Sequence, residues 1–208
     1  MTRILLVRHG EASKGPEAPD PELTDLGHRQ AQALARQFAN VKPISLISSP
    51  KARARQTAQP LAELWQRSVT LEQAVTEIPP PEGVALSERG QWIRRLLDSD
   101  WDAEDRAQQE WRRGILGFLL SLREDAAIFC HFMVINSVVA QVRGDRRVQQ
   151  FRPDYTSVTE LNSGEAAWRL SSWERNGRVV FSDRIRCAGA HRRRVRRAHR
   201  SMWERAPR

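Results

Sequence analysis

A chain of 208 residues has room for one α/β core and would crowd two. Its longest apolar runs, such as Ile4 to Val7 and Ile115 to Leu122 with Gly117 and Ser121 inside it, are too short to span a bilayer, and two cysteines, Cys130 and Cys187, do not make a disulfide framework. The net charge of +9 is a local feature: residues 186–208 hold nine arginines and one acid, leaving 25 basic and 24 acidic side chains elsewhere, so the body of the chain is not built to attract polyanions.

The composition therefore divides the chain into a single domain over residues 1–185 and an arginine-rich tail over 186–208. Met1 leads directly into a strand-like segment, without the apolar core and cleavage site of a secretory leader, and a cytoplasmic protein is expected.

Arg3 to Val7 reads as a buried parallel strand that delivers Arg8-His9-Gly10 at its carboxyl end, where open α/β sheets place ligands. After a Pro-rich loop, Thr24 is suited to cap a helix whose positions Ala31, Leu34, Ala35 and Phe38 form one apolar stripe. Ile44 to Ile47 is a second strand, and Ser48-Ser49-Pro50 opens a second helix with Ala58, Leu61, Ala62 and Trp65 on one face. Val69 to Leu71 suits a third strand, and Pro79-Pro80-Pro81 after Glu77 demands a rim loop.

Residues 86–113, with Trp92, Trp101 and Trp111, read as an excursion of one or two helices before the stripe of Ile115, Phe118, Leu119 and Leu122. Ala126 to Cys130 is another central strand, ending in His131 and followed by a helix over Val134 to Val142. Ser157 to Leu161 and Ala166 to Trp173 close the sheet as a hairpin through Asn162-Ser163-Gly164. The fold expected is a three-layer α/β/α sandwich on a mostly parallel sheet.

Two histidines at the ends of two central strands, His9 and His131, are placed to share one pocket. Arg8 and Arg53 bring guanidiniums that stay charged and match phosphate oxygens in bidentate geometry. An unprotonated imidazole is a competent nucleophile, and phosphoryl transfer mainly needs positioning and charge neutralisation, which arginines supply in place of a metal. The leaving alkoxide needs a proton and the phosphohistidine an activated water; Glu77 is the candidate carboxyl, with Glu82 and Glu11 as rivals. No cofactor and no metal are expected.

The motifs Leu6-Val7-Arg8-His9-Gly10-Glu11, Leu23-Thr24-Asp25-Leu26-Gly27-His28-Arg29-Gln30-Ala31 and Ser48-Ser49-Pro50-Lys51-Ala52-Arg53-Ala54-Arg55-Gln56-Thr57-Ala58 stand in order. With them the chain resembles the histidine phosphatase superfamily, which includes the cofactor-dependent phosphoglycerate mutases, and within it the small bacterial phosphatases. The resemblance covers residue 3 to about residue 185. It implies His9 as phosphoacceptor, Arg8 and Arg53 as phosphate ligands, Glu77 as proton donor and His131 as the second pocket histidine; Ser157-Val158-Thr159 resembles the family's late strand.

Three departures qualify that resemblance. Phe132-Met133 stand where many relatives have two glycines, bulk that would narrow the pocket. Phe132 also replaces the aspartate of the acid-phosphatase branch, which favours Glu77 as the acid. Gly15 stands where mutase-like members carry a phosphate-binding asparagine, which disfavours a mutase.

Three functions follow: a metal-independent phosphatase acting on a phosphorylated small molecule or phosphoprotein; a mutase moving phosphate between hydroxyls of one substrate; and a phosphate- or partner-binding module whose pocket Phe132 and Met133 close. Cys130 next to His131 points to the opposite strand face and reads as core, and a cysteine phosphatase would want an arginine where Asn136 stands. For the tail, binding to nucleic acid or an anionic lipid surface stands beside a plain solvated segment and beside a helix over residues 192–205 packed on the body.

Overall fold

The computed structural model describes residues 2–13, 20–163, 167–174, 177–179 and 184–186. Gly15 and the tail from Cys187 onward, including the helix expected over 192–205, lie outside the described residues.

The elements in chain order are β1 (Arg3–Arg8), α1 (Asp25–Gln37), β2 (Ser45–Ser48), α2 (Ala52–Trp65), β3 (Val69–Leu71), α3 (Arg89–Leu97), α4 (Arg106–Ser121), β4 (Ala126–Cys130), α5 (Phe132–Arg143), β5 (Val158–Ser163), β6 (Ala167–Glu174), β7 (Gly177–Val179) and β8 (Arg184–Arg186). The sheet runs β3-β2-β4-β1-β5-β6-β7, with β8 also paired to β6. Its β3-β2-β4-β1 half is parallel, and every pairing from β1–β5 onward is antiparallel. The parallel half carries the site, as such sheets do at their carboxyl edge.

The three layers follow from the two-residue period of the strands. Leu5 and Val7 of β1 and Ala127 and Phe129 of β4 pack with Leu34 of α1 and Ala58 and Leu61 of α2. Their neighbours Ile4, Leu6, Ala126, Ile128 and Cys130 turn to the other side, against Ile115 and Leu119 of α4 and Val134, Val138 and Val139 of α5. Each fully buried Ile or Leu in these layers contributes about 1.5–3 kcal/mol of transfer free energy. Cys130 is thus a core side chain, and burial pushes its thiol far up from its ordinary value.

Thr24 caps α1 as its sequence position suggests: its Oγ1 accepts from Gly27 N at 3.0 Å. Helix α2 begins at Ala52 with Lys51 as a cap residue lacking a side-chain bond, so Ser48-Ser49-Pro50 forms the approach to the helix and not its first turn. Helix α5 starts two residues earlier than the apolar run suggested, at Phe132, with His131 as its N-cap residue.

The excursion resolves into α3, a short 3₁₀ turn at Trp101–Ala103, and α4. Trp92 and Trp101 are buried with Ile78, Leu96, Met133, Ala140 and Val148 in a third cluster. Trp111 packs beside it and donates its indole N–H to Thr76 O at 2.9 Å, which fixes the backbone next to Glu77. The tryptophans pack, and Trp92 and Trp101 have almost no surface left for a substrate. No described helix is long and apolar enough to cross a membrane.

Candidate active site

Strands β1 and β4 are parallel neighbours with Arg8 opposite Cys130, so their next residues, His9 and His131, leave the sheet side by side. The ladder continues one step further through His9 N to Cys130 O at 3.0 Å. The two imidazole centroids are 5.3 Å apart.

The surroundings of His9 fix its tautomer. Nδ1 lies 2.7 Å from Gly10 O, a carbonyl that only accepts, and Arg53 Nε, which only donates, lies 3.3 Å from Nε2. The proton therefore sits on Nδ1 and the lone pair on Nε2. Burial lowers the imidazole to about 3, helped by the positive charges of Arg53 and Arg8 and opposed by the Gly10 carbonyl. At neutral pH His9 is uncharged.

His131 is held the other way round. Its Nε2 is 2.8 Å from Ser49 Oγ, and that oxygen also accepts from Lys51 N at 3.3 Å. Its Nδ1 is buried and has no hydrogen-bond partner among the described residues. Burial and then Arg53, His9, Lys51 and Arg89 hold this group well below its ordinary value.

Both predicted arginines reach the same place. Arg8 donates through Nη1 to Pro153 O at 2.7 Å, and its Cζ lies 4.2 Å from the Tyr155 ring centroid and 5.3 Å from that of Phe132, both in cation–π range. Arg53, in the first turn of α2, also pairs through Nη1 with Asp20 at 3.7 Å. Burial lowers both guanidiniums from their ordinary value, and the Glu77 carboxylate is among the charges that pull them back up.

Glu77 is partly buried; its Oε1 accepts from Ile78 N at 3.1 Å and its Oε2 from Met133 N at 3.5 Å, at the start of α5. Burial raises its carboxyl above the ordinary value, against the two backbone N–H groups and the charges of Arg53 and Arg89. Its rivals stand elsewhere. Glu82 is exposed, and Glu11 accepts from Thr24 Oγ1 at 3.0 Å, tying the first turn of α1 to the loop after β1.

The two residues in place of glycines differ in burial, Met133 being buried and Phe132 partly so. Met133 is buried in the third cluster, and Phe132 lies against that cluster and near the Arg8 guanidinium.

The residues missed at the level of sequence are Ser49, Asp20, Tyr155, Thr156 and Arg89. Ser49 stood inside a quoted motif and next to a strand end, a signal that was there to read. Asp20 caps α2, both carboxylate oxygens accepting from Ala52 N at 3.1 Å, across 32 residues of chain. Thr156 adopts a left-handed φ of 57°, costly for a β-branched residue, and its N–H bonds Arg8 O at 3.0 Å, locking the end of β1. Arg89 donates to Ile78 O at 3.2 Å beside Glu77 and carries no local signal among the charges of α3.

The parts of the site meet through close backbone contact. A Cβ on Gly10 would fall 2.8 Å from Gly27 O, and one on Gly27 would fall 2.0 Å from Glu11 O, so the first two motifs need glycine where they touch.

Comparison with known proteins gives the same picture. The probable phosphoglycerate mutase GpmB of Erwinia tasmaniensis (strain DSM 17950 / CFBP 7177 / CIP 109463 / NCPPB 4357 / Et1/99) is 26% identical over 196 residues, covering 83% of this chain and 90% of that protein. Its counterpart from Yersinia pestis (strain Pestoides F) is 25% identical over 195 residues, with the same shares covered. Among solved structures, a mycobacterial glucosyl-3-phosphoglycerate phosphatase complexed with VO3 superposes with a TM-score of 0.64 at 22% identity, over 83% of this chain and 98% of that one. A phosphoserine phosphatase from Entamoeba histolytica in complex with 3-phosphoglyceric acid gives 0.66 at 23% identity, over 85% and 98%. These two likenesses show the fold. The sequence model of the histidine phosphatase superfamily (branch 1) matches residues 4–176. Because that match runs from the first strand into the last hairpin and takes in every residue of the site, the chain belongs to the histidine phosphatase superfamily.

Proposed function

We propose that this protein hydrolyses phosphate monoesters through a phosphohistidine on His9. The observation that carries the reading is the lone pair of His9 Nε2, held unprotonated by the Gly10 carbonyl on the far side of the ring and standing against the Arg53 guanidinium. In this mechanism Arg8 and Arg53 bind the phosphoryl oxygens, and the Nδ1–H of His131 donates to one of them. His9 Nε2 attacks phosphorus in line as the P–O bond to the leaving group breaks. Glu77, whose carboxyl burial raises above its ordinary value, gives its proton to the departing alkoxide. The resulting carboxylate then takes a proton from water, whose oxygen attacks phosphorus, breaks the P–N bond and regenerates neutral His9. The guanidiniums neutralise the charge, so no metal takes part in any step.

The substrate in this reading is a phosphorylated small molecule. The substrates in the names of the structural relatives, glucosyl-3-phosphoglycerate and phosphoserine, pair a phosphate with a carboxylate. Arg89, beside Glu77, supplies a further cation for such a group.

The test is phosphate release from p-nitrophenyl phosphate, with and without chelator, by the wild type and a folded His9→Ala variant. Activity that survives chelator and vanishes with His9 supports the mechanism; activity unchanged by the substitution overturns it. The identity to probable phosphoglycerate mutases favours a second reading, phosphate transfer within one substrate. Incubation with 3-phosphoglycerate separates the two: inorganic phosphate marks the hydrolase and 2-phosphoglycerate the mutase.

A further inference from the structure

We propose that Gln30 of α1 and Thr57 of α2 are positioning residues that set the tautomer and aim of His9 by locking the two peptide units flanking the Gly10 Cα. The proposal rests on His9 as the nucleophile. Neither residue touches the reacting atoms.

The Nδ1–H of His9 needs the Gly10 carbonyl to face it at 2.7 Å. That carbonyl belongs to the Gly10–Glu11 peptide, whose N–H, on Glu11, donates to Gln30 Oε1 at 2.8 Å. A trans peptide is planar with its N–H and C=O opposed, so holding one end aims the other. The preceding peptide, His9–Gly10, is held by Gly10 N donating to Thr57 Oγ1 at 2.9 Å, and the Thr57 hydroxyl donates to Arg53 O at 2.6 Å. Thr57 is fully buried and Gln30 partly so.

The need for two clamps follows from the glycine between them. Gly10 cannot carry a Cβ, because Gly27 O would lie 2.8 Å away, yet glycine is the softest hinge a chain has. A turn of that peptide would remove the Gly10 O acceptor of His9 Nδ1 and free the ring to place its proton on Nε2, which has no lone pair to attack with in that form. The Thr57 hydroxyl also closes a ring of contacts: from Gly10 to the Arg53 backbone, along the Arg53 side chain, and from its Nε back to His9 Nε2. One hydroxyl thereby ties the nucleophile to the guanidinium that faces it.

The experiment is long-range ¹H–¹⁵N NMR of the imidazoles in the full chain, assigned with His9→Ala, for wild type, Thr57→Val, Thr57→Ser and Gln30→Met. Kinetics on p-nitrophenyl phosphate and thermal melts accompany it. The wild type is expected to show His9 with a protonated Nδ1 and a bare Nε2. Thr57→Val and Gln30→Met each add the opposite tautomer and lower kcat by about 10- to 100-fold, in line with the cost of a 1 Å misplacement, while KM changes much less. Thr57→Ser restores both signals.

Folded variants whose His9 nitrogens match the wild type overturn the proposal, as does a fall in Tm and kcat with no change of tautomer. Gln30→Met, on the partly buried side of α1, keeps the test open if Thr57→Val does not fold. The NMR readout needs no turnover, so it separates this idea from the mechanism: an active His9→Ala would sink the nucleophile while the spectra still judge the clamp.

Discussion

The ends of β1 and β4 are two solutions to one problem, a histidine delivered at the carboxyl edge of a parallel strand. After His9 the chain turns through a glycine into a loop, and the ring is pinned through Nδ1 with Nε2 facing a guanidinium. After His131 the chain enters a helix at once, and the ring is pinned through Nε2 with Nδ1 left over. His9 remains 8% exposed and His131 not at all. The difference teaches that a hydrogen-bond partner on one nitrogen decides what the other can do: the first histidine is left with a bare Nε2 facing Arg53, the second with an unpartnered Nδ1.

The sharpest way to break the comparison is to remove each histidine. His9→Ala is expected to lower kcat by about 10⁴-fold or more, as loss of a nucleophile does in other covalent enzymes. Next comes the proposed acid: Glu77→Gln should cost about 10²- to 10⁴-fold with alkyl phosphates and much less with p-nitrophenyl phosphate, whose leaving group needs no proton. Equal losses on both substrates would remove Glu77 from the proton-donor role. His131→Ala, as loss of a single preorganised donor, should cost about 10²- to 10³-fold. Ser49→Ala should cost less than His131→Ala, since the ring stays and only its Nε2 hydrogen bond is lost. A His131→Ala effect as large as that of His9→Ala would erase the distinction between the two strand ends.

The smallest effect expected is on stability against pH. Both histidines are neutral in the fold, with His9 lowered to about 3, and take protons near 6.5 when unfolded. The unfolded state then binds more protons below 6.5, so Tm should fall as pH drops from 6.5 toward 3. Glu77 acts with the opposite sign: its raised folded value means the unfolded carboxyl ionises first as pH rises through 4.5, which lowers stability until the folded carboxyl ionises too. Melts from pH 3 to 8 should therefore show a shallower acid slope for His131→Asn and a gain above pH 4.5 for Glu77→Gln. An unchanged slope in His131→Asn would mean that its ring is not held neutral.

Much of the fold was legible because strand burial and helix stripes are local patterns. Leu34 and Leu61 declare their faces by spacing alone, and Thr24 declares its cap. The excursion was legible as packing in its tryptophans, though not in its partners: Trp111 anchors Thr76 from 35 residues away. The antiparallel half of the sheet was foreseen as a hairpin, but its pairing with β1 is a choice among strands that no single segment records.

The sequence by itself determined that His9 and His131 follow apolar central strands and that Leu34 and Leu61 face the core, because residue identity and period are written along the chain. Tertiary structure alone decided the lowered pKa of each ring, the pairing of Arg53 with Asp20, and the burial of Met133 in the third cluster. These depend on which groups meet across tens of residues, and on how much water they lose when they meet.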